Sequence, residues 1–518
     1  MYTKLISFLY FLKKNGKFKY LFYIYTQISI IKINLLFFFT GIIFSSLHFF
    51  NYDLSTSPKY LNFCKNKIMH LLEVDDSNFN VEKFNFFKNK SYDIFNKLSL
   101  SKSLNEKIFM DIIDTNYIVT DYVSWIKNKK LFLDWLLINQ KKVPNEMNNI
   151  RFISSFDLFN TIGLIYTIDG FIKSILLGFN PQFRLLCLVH KKVRGKPINQ
   201  FIVDKFSKYI EFIYDDTLIK KYKPYESILD SYHGQFAKLQ NHYSLNGQSG
   251  SIKINQIWNE KKFKPLFKLT NNEIDMCWKN LSKFGIKKND WFVGIHVRDP
   301  SFKGIEEFRD VDIKDYFKSF ENITKLGGWV IRLGNSKVSP LPKLDKVFDY
   351  PLSEIRSDVM DIFICDQSRF LIGTSSGMAA VSSILNTPIA MTNYQPLSTL
   401  FLSEIDLFLP RLLKSKINNE MLSFDQLFKL QNCMGLLDGV YENLFKADII
   451  TNTEDEISEL VDEMIDFTSY NYIVENVRSA YQKKIDLLIK NNNILFYPDL
   501  NFKAKMGKKF LEKYKNLF

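Results

Sequence analysis

Arginine is scarce in this chain of 518 residues, ten against 59 lysines. Cysteine is scarcer: five residues, odd in number, scattered from Cys64 to Cys433 with no CxxC pair and no Cys/His cluster. That pattern excludes a disulfide framework and a structural zinc site, and it fits a reducing compartment. The six histidines have no metal-ligand spacing. Acidic residues are missing altogether from the first fifty positions, which hold six lysines. No internal repeat and no nucleic-acid-binding module can be read. No small-residue cleavage site follows the first apolar run, which argues against a signal peptide.

What is present is globular in character. Hydrophobic residues make up 46% and charged residues 24%. Single cores stop growing at roughly 250–300 residues, so more than one domain is expected. The net charge of +14 is concentrated at the two ends: the closing stretch KAKMGKKFLEKYKNLF has six lysines and one glutamate. Terminal lysine suits an anionic membrane surface better than a nucleic-acid groove, so no nucleic-acid partner is expected. Residues 33–52 are uncharged, long enough to span a bilayer, and interrupted by Asn34, Ser45, Ser46 and His48. Three readings stand for them: an interfacial or re-entrant membrane contact, a span with a cytoplasmic N-terminus, or a buried helix.

Five regions follow from the pattern. Residues 1–55 are apolar and basic, and 56–148 read as helical. From 149 to 270 strand and helix patterns alternate (RFISS, TIGLIYTIDGFIKSILLG, FRLLCLVH, INQFIVDKFSKYI, EFIYDD), which implies a parallel, Rossmann-like sheet. A second alternation fills 271–410, and 411–518 reads as helical. Two such units in series give an α/β fold whose Rossmann-like domains face each other across a cleft, with helical N-terminal and C-terminal extensions. Ligands of such sheets sit at the carboxyl ends of the strands.

The second alternation opens with WFVGIHVRDPSF, where an apolar strand ends in His296, Arg298 and Asp299. Half of the arginines (298, 309, 332, 356 and 369) fall within 72 residues from this point. Where lysine serves for most positive charge, arginine marks places that need its planar fork, and phosphate is one such place. The next strand end delivers Arg332, Gly334 and Asn335, and VFDY delivers Asp349. RFLIGT runs through Gly373 and Thr374 into Ser375, Ser376 and Gly377 at a helix start, which makes GTSSG a candidate phosphate cradle. Gly377 there is expected to leave room for a phosphate to approach the backbone. Asp358 and Asp361, with Asp349, are carboxylates for ribose, base or sugar hydroxyls, and Asn393 closes the last strand of the set. Two features read as decoys: Asp310-Val-Asp312 is a helix cap rather than a metal-binding DxD. Tyr166 and Asp169 are buried or surface residues rather than an acceptor base.

GIHVRDPSF, EFRDVDIKDYFKSF, GGWVIRLGN, VFDYPLSEIRSDVMDIFICDQSRFLIGTSSGM and TNYQP resemble a bacterial glycosyltransferase family that is itself similar to fucosyltransferase-like GT-B enzymes. The resemblance is strong over residues 285–410 and absent from the first 145. It implies a GT-B-like fold and a nucleotide-diphosphate-sugar donor, with His296 and Arg298 on the β-phosphate and Ser375, Ser376 and Gly377 on phosphate as well. Asp299 and Pro300 follow Arg298 where the fucosyltransferase pattern has a second arginine or Gly-Asp, so a GDP-sugar is one candidate among several donors. Arg298, Arg332 and Asp299 are the expected catalytic residues, with no metal and no other cofactor. The reading is a glycosyltransferase at the cytoplasmic face of a bacterial inner membrane, acting on a glycan, lipid-linked or protein acceptor in surface polysaccharide synthesis. Its rival is a non-catalytic nucleotide-sugar-binding or membrane-attached glycan assembly protein.

Overall fold

The computed structural model describes residues 58–72, 81–100, 106–118, 122–159, 162–194, 197–230, 238–239, 242–243, 247–298, 309–395, 403–431, 440–470, 483–488 and 504–518. The apolar segment 33–52 and Asp299 lie outside them. Among the described residues, no helix is long and apolar enough to cross a membrane.

Of two compact units, the first takes residues up to His70 together with Asn80–Thr115, and the second takes Leu71–Phe79 together with Asn116–Phe518. The first is built from α1 (Pro58–Leu72), α2 (Val81–Leu100) and α3 (Glu106–Ile118). Its core holds Leu61, Ile68, Ile94, Ile108 and Ile112, and Lys65 Nζ meets Asp111 Oδ1 at 3.0 Å.

The second unit is mixed α/β with parallel sheets. After α4 (Tyr122–Gln140), a three-stranded sheet is formed by β1 (Ile150–Phe152), β2 (Arg184–Leu188) and β3 (Ile210–Ile213), in the order β1-β2-β3. Both pairings are parallel, so each return needs a crossover helix. After the short helix α5 (Ser155–Phe159), α6 (Ile165–Leu176) and α7 (Gln200–Phe206) supply these crossovers, and α8 (Asp216–Glu226) follows β3. Gly178, at φ +79°, ends the α6 segment in a conformation that suits glycine. Asn199 and Asp215 cap α7 and α8 by accepting from the N–H groups of Ile202 and Leu218.

A short antiparallel pair, β4 (Lys238–Leu239) and β5 (His242–Tyr243), precedes α9 (Gly247–Glu260) and α10 (Asn271–Ser282). Helices α6 and α9 cross where Gly170 faces Ser251; a Cβ on Gly170 would lie 2.5 Å from the Ser251 hydroxyl. Only a glycine allows this approach.

The large sheet contains β6 (Phe292–His296), β7 (Trp329–Arg332), β8 (Val347–Phe348), β9 (Leu371–Gly373), β10 (Ile389–Tyr394) and β11 (Leu407–Pro410). The helices between them are α11 (Phe317–Lys325), α12 (Asp358–Gln367) and α13 (Gly377–Leu385). Later elements are β12 (Leu412–Ser415), α14 (Phe424–Gln431), β13 (Ala447–Ile450), α15 (Glu454–Tyr470), β14 (Lys505–Met506) and α16 (Lys508–Lys513). The sheet order is β14-β11-β10-β9-β6-β7-β8, all parallel. The segment 411–518, expected to be helical, thus adds β14 to the sheet edge and an antiparallel β12–β13 pair. A strand of two residues has too little length to show a period of two.

Candidate functional site

The order of the large sheet locates its crevice. From β6 the chain moves outward through β7 and β8, then crosses back to β9 on the other side of β6 and continues away through β10 and β11. The reversal lies between β6 and β9. At such a switch point the flanking crossovers leave toward opposite faces, which opens a crevice at the strand carboxyl ends. The register aligns His296 with Gly373 across this boundary.

Three contacts tie the two strand ends together, and a fourth ties the turn after β9 to the end of β10. Thr374, fully buried, accepts from the Arg298 backbone N–H at 3.1 Å. His296 Nδ1 and Ser376 Oγ share a hydrogen bond of 3.0 Å whose direction follows the imidazole tautomer. Arg309 donates through Nη1 to the Ser375 carbonyl at 3.1 Å, and the Ser375 hydroxyl accepts from the Gln395 N–H. Ser376 stands at the N-cap of α13, yet its hydroxyl makes no cap bond and turns to His296 instead. The first turn of α13, with its positive dipole end, therefore has no side-chain cap, and at Gly377 it packs against Ile162 and Gly163.

Arg298 is nearly buried, its Nε 3.1 Å from Asp310 Oδ1. Its carbonyl accepts from Val311 N–H, so the chain returns alongside the strand end. Asp310 is anchored in turn, its carbonyl accepting from Arg411 Nη2 at 2.9 Å. In the Asp-Val-Asp motif, then, Asp310 is the ion partner of Arg298. Asp312 caps the turn at Ile313–Tyr316 by accepting from Lys314 N–H.

Other expected site residues are placed elsewhere. The β6–β7 register pairs Arg332 with Ile295. Arg332 therefore shares the face of Ile295, opposite to that of His296. There its Nη1 donates to the Ser339 carbonyl (2.7 Å) and meets Asp349 Oδ1 (3.3 Å), while Asp349 Oδ2 accepts from Leu341 N–H. Together they pin the loop after β7, where Asn335 accepts from Lys337 N–H and Gly334 packs near Val338 and Pro351. Asp358 accepts from Gln200 N–H at 2.6 Å and through its carbonyl from Asn199 Nδ2, linking α12 to the start of α7. Asp361 accepts from the Tyr350 hydroxyl at 2.7 Å, and burial pushes its carboxyl up to about 6. Asn393, at φ +48°, exchanges hydrogen bonds with Asn452 through N–H and side-chain oxygen.

The chain matches no family model and no curated protein. One solved structure, the glycosyl transferase family 9 from Veillonella parvula DSM 2008, overlaps 61% of this chain and 96% of its own, at 10% identity and a TM-score of 0.32. An overlap that loose transfers no residue role.

Arg309, Asp310, Arg411 and Gly163 belong to the site's construction, and the sequence pattern assigns none of them to it; there Asp310 reads as a helix cap. Arg309 stood out only as one of the clustered arginines. Gly163 matters because of Gly377: the two backbones touch. A Cβ on Gly377 would come within 2.4 Å of Ile162 Cγ2 and 2.9 Å of Gly163 N. The space at Gly377 is filled by protein, not left open for a phosphate. Gly377→Ala should therefore destabilise the fold by about 1–3 kcal/mol, the usual cost of overpacking. Adding Ile162→Ala should restore part of the lost melting temperature, since the Gly163 contact persists. Wild-type stability in the single variant would show that this junction yields without cost.

Proposed function

We propose that the chain is a glycosyltransferase of GT-B-like arrangement, its Rossmann-like halves at 149–270 and 271–410, that binds a nucleotide-diphosphate-sugar in the β6/β9 crevice. The observation that carries the reading is the coincidence of three features at one switch point: an arginine, a histidine–serine pair, and an uncapped helix start. Charge grows on the diphosphate as the sugar leaves. A guanidinium and a helix N-terminus held in place beforehand stabilise that charge without reorganising, a role that needs no metal. His296 and Ser376 add hydrogen-bonding groups at the same edge. The acceptor would enter from the 149–270 side, and the lysine-rich ends would hold the protein at the cytoplasmic face of a bacterial membrane, where surface polysaccharide is assembled.

One observation favours the non-catalytic rival: the Arg298 guanidinium is already partnered by the Asp310 carboxylate.

A melting panel with UDP, GDP, ADP, CDP and dTDP tests the crevice. At a hundredfold excess over its Kd, the matching diphosphate should stabilise the protein by about 2.7 kcal/mol, and its nucleoside by clearly less. If none of them raises the melting temperature, the donor site is not there. Release of the diphosphate from the corresponding sugar nucleotide in the presence of a glycan acceptor then separates enzyme from binding protein.

A further inference from the structure

A cavity of about 270 Å³ lies away from the crevice, between α6, α9, the last turn of α13 and the approach to β11. The crevice uses the first turn of α13, whereas this cavity is lined by Ser383 and Asn386 at the other end. Nine residues of helix separate these ends by about 13 Å. We propose that this second pocket binds a neutral saccharide.

The lining decides the chemistry. Its floor is Tyr166 and Asn255, both buried. The Asn255 side chain is fixed from two sides: Oδ1 accepts from Lys173 Nζ at 2.6 Å, and Nδ2 donates to the Ser251 carbonyl at 3.0 Å. Gln256, Asn259 and Asn386 add amides to the walls, and Ser383 and Ser403 add hydroxyls. Asn259 and Asn386 each present an amide donor and acceptor side by side, and the Ser403 hydroxyl, which donates to Asp406 Oδ2 at 3.0 Å, keeps acceptor capacity, a set that matches the paired hydroxyls of a sugar ring. At the rim Phe263 is 48% exposed, with its ring held edge-to-face on Trp258 at 5.0 Å. It is an apolar plate suited to the C–H face of a pyranose.

Other ligand classes fit less well. Glu260 and Glu404 outnumber Lys262 around the mouth, which disfavours a phosphate or another anion. A hydrocarbon would take the amides of Asn259 and Asn386 out of water without offering them a hydrogen bond. A polyamine would satisfy the carboxylates but face Lys262 and the amide N–H donors. The volume lies just under the roughly 300–1,000 Å³ of most ligand pockets, so one or two sugar rings are the expected size.

The proposal stands apart from the reading of the crevice, and the experiment keeps the two separate. The full-length protein is titrated with glucose, galactose, N-acetylglucosamine and maltose, with binding followed by saturation-transfer NMR. At least one sugar should bind saturably at millimolar concentration. Asn259→Leu and Phe263→Ala, both outside the core, should each weaken it roughly tenfold, the loss of about one good contact. Excess UDP or GDP should leave the sugar signal unchanged, whether or not either nucleotide binds the crevice. The proposal is overturned if none of the four sugars gives saturable transfer, or if both variants bind like the wild type. Displacement of the sugar by a nucleotide, or tighter binding of spermidine than of any sugar, overturns it equally.

Discussion

Lys173→Met should destabilise the second unit by about 3–5 kcal/mol, the usual consequence of removing one partner from a buried ion pair. Lys173 and Asp169 are 2% and 1% exposed, and their charged atoms lie 2.6 Å apart. Nζ also reaches Asn255 Oδ1 at 2.6 Å and lies 5.5 Å from the centre of the Trp258 ring. Burial already raises the Asp169 carboxyl above its ordinary value, and Lys173 opposes that rise. Without the lysine, the folded-state value climbs further. A carboxyl whose folded value is raised favours folding while it is protonated, and that contribution fades as pH rises above the ordinary aspartate value. The penalty of Lys173→Met should therefore be small in acid and grow as pH increases. Asp169→Leu combined with Lys173→Met removes both charges and should recover most of the stability. Melting temperatures of the three proteins across a pH series read this directly. A single variant as stable as the double at neutral pH would show that Asp169 finds another partner. Transfer activity should be retained in the double variant, since Asp169 is read as a buried structural residue rather than an acceptor base.

The alternation of strand and helix was legible because each element of the large sheet is a short apolar run closed by a polar or glycine-rich turn. WFVGIHV, GWVIRLG, RFLIGT and PIAMTN all became strands within a residue or two of the expected bounds. The convergence of β6 with GTSSG was legible too, since both lie at strand carboxyl ends. Which arginines join them was not. One residue of register decides which face a strand side chain takes, and the pairing of Arg332 with Ile295 put it on the far side from His296. Arginine is expected to mark places that need a planar fork for phosphate, yet several of the arginines grip the protein's own carbonyls. Arg309 takes that of Ser375, Arg332 that of Ser339, Arg369 that of Ile465, and Arg411 that of Asp310. A guanidinium with five donors can bridge a strand end to a distant loop where a lysine would hold only one point. The contact between Gly163 and Gly377 left no trace in sequence, because close approach is a property of two backbones brought together by the fold.

Arg298→Ala should slow transfer on the order of 100-fold to 1,000-fold, equivalent to about 2.7–4 kcal/mol of transition-state stabilisation. The size follows from its place. It lies at the switch point, largely shielded from water, with its backbone tied to Thr374 and its Nε facing Asp310. An arginine held this firmly meets new charge on a leaving diphosphate without having to move. Arg298→Lys keeps the charge and loses the fork, and cannot face Asp310 and a phosphate oxygen along the same two directions. It should recover only a small part of the rate. Truncation to alanine also strands Asp310, so the alanine variant is judged only once its melting curve shows it folded. Asp310→Asn supplies the second test: it leaves an oxygen able to face Arg298 Nε and removes the competing negative charge. Its loss of kcat should fall well short of that of Arg298→Ala. Arg356→Lys, at an exposed position, should be nearly silent. Full turnover by Arg298→Lys at saturating donor would sink the bidentate role. Full activity in a well-folded Arg298→Ala would take the phosphate site away from β6 altogether.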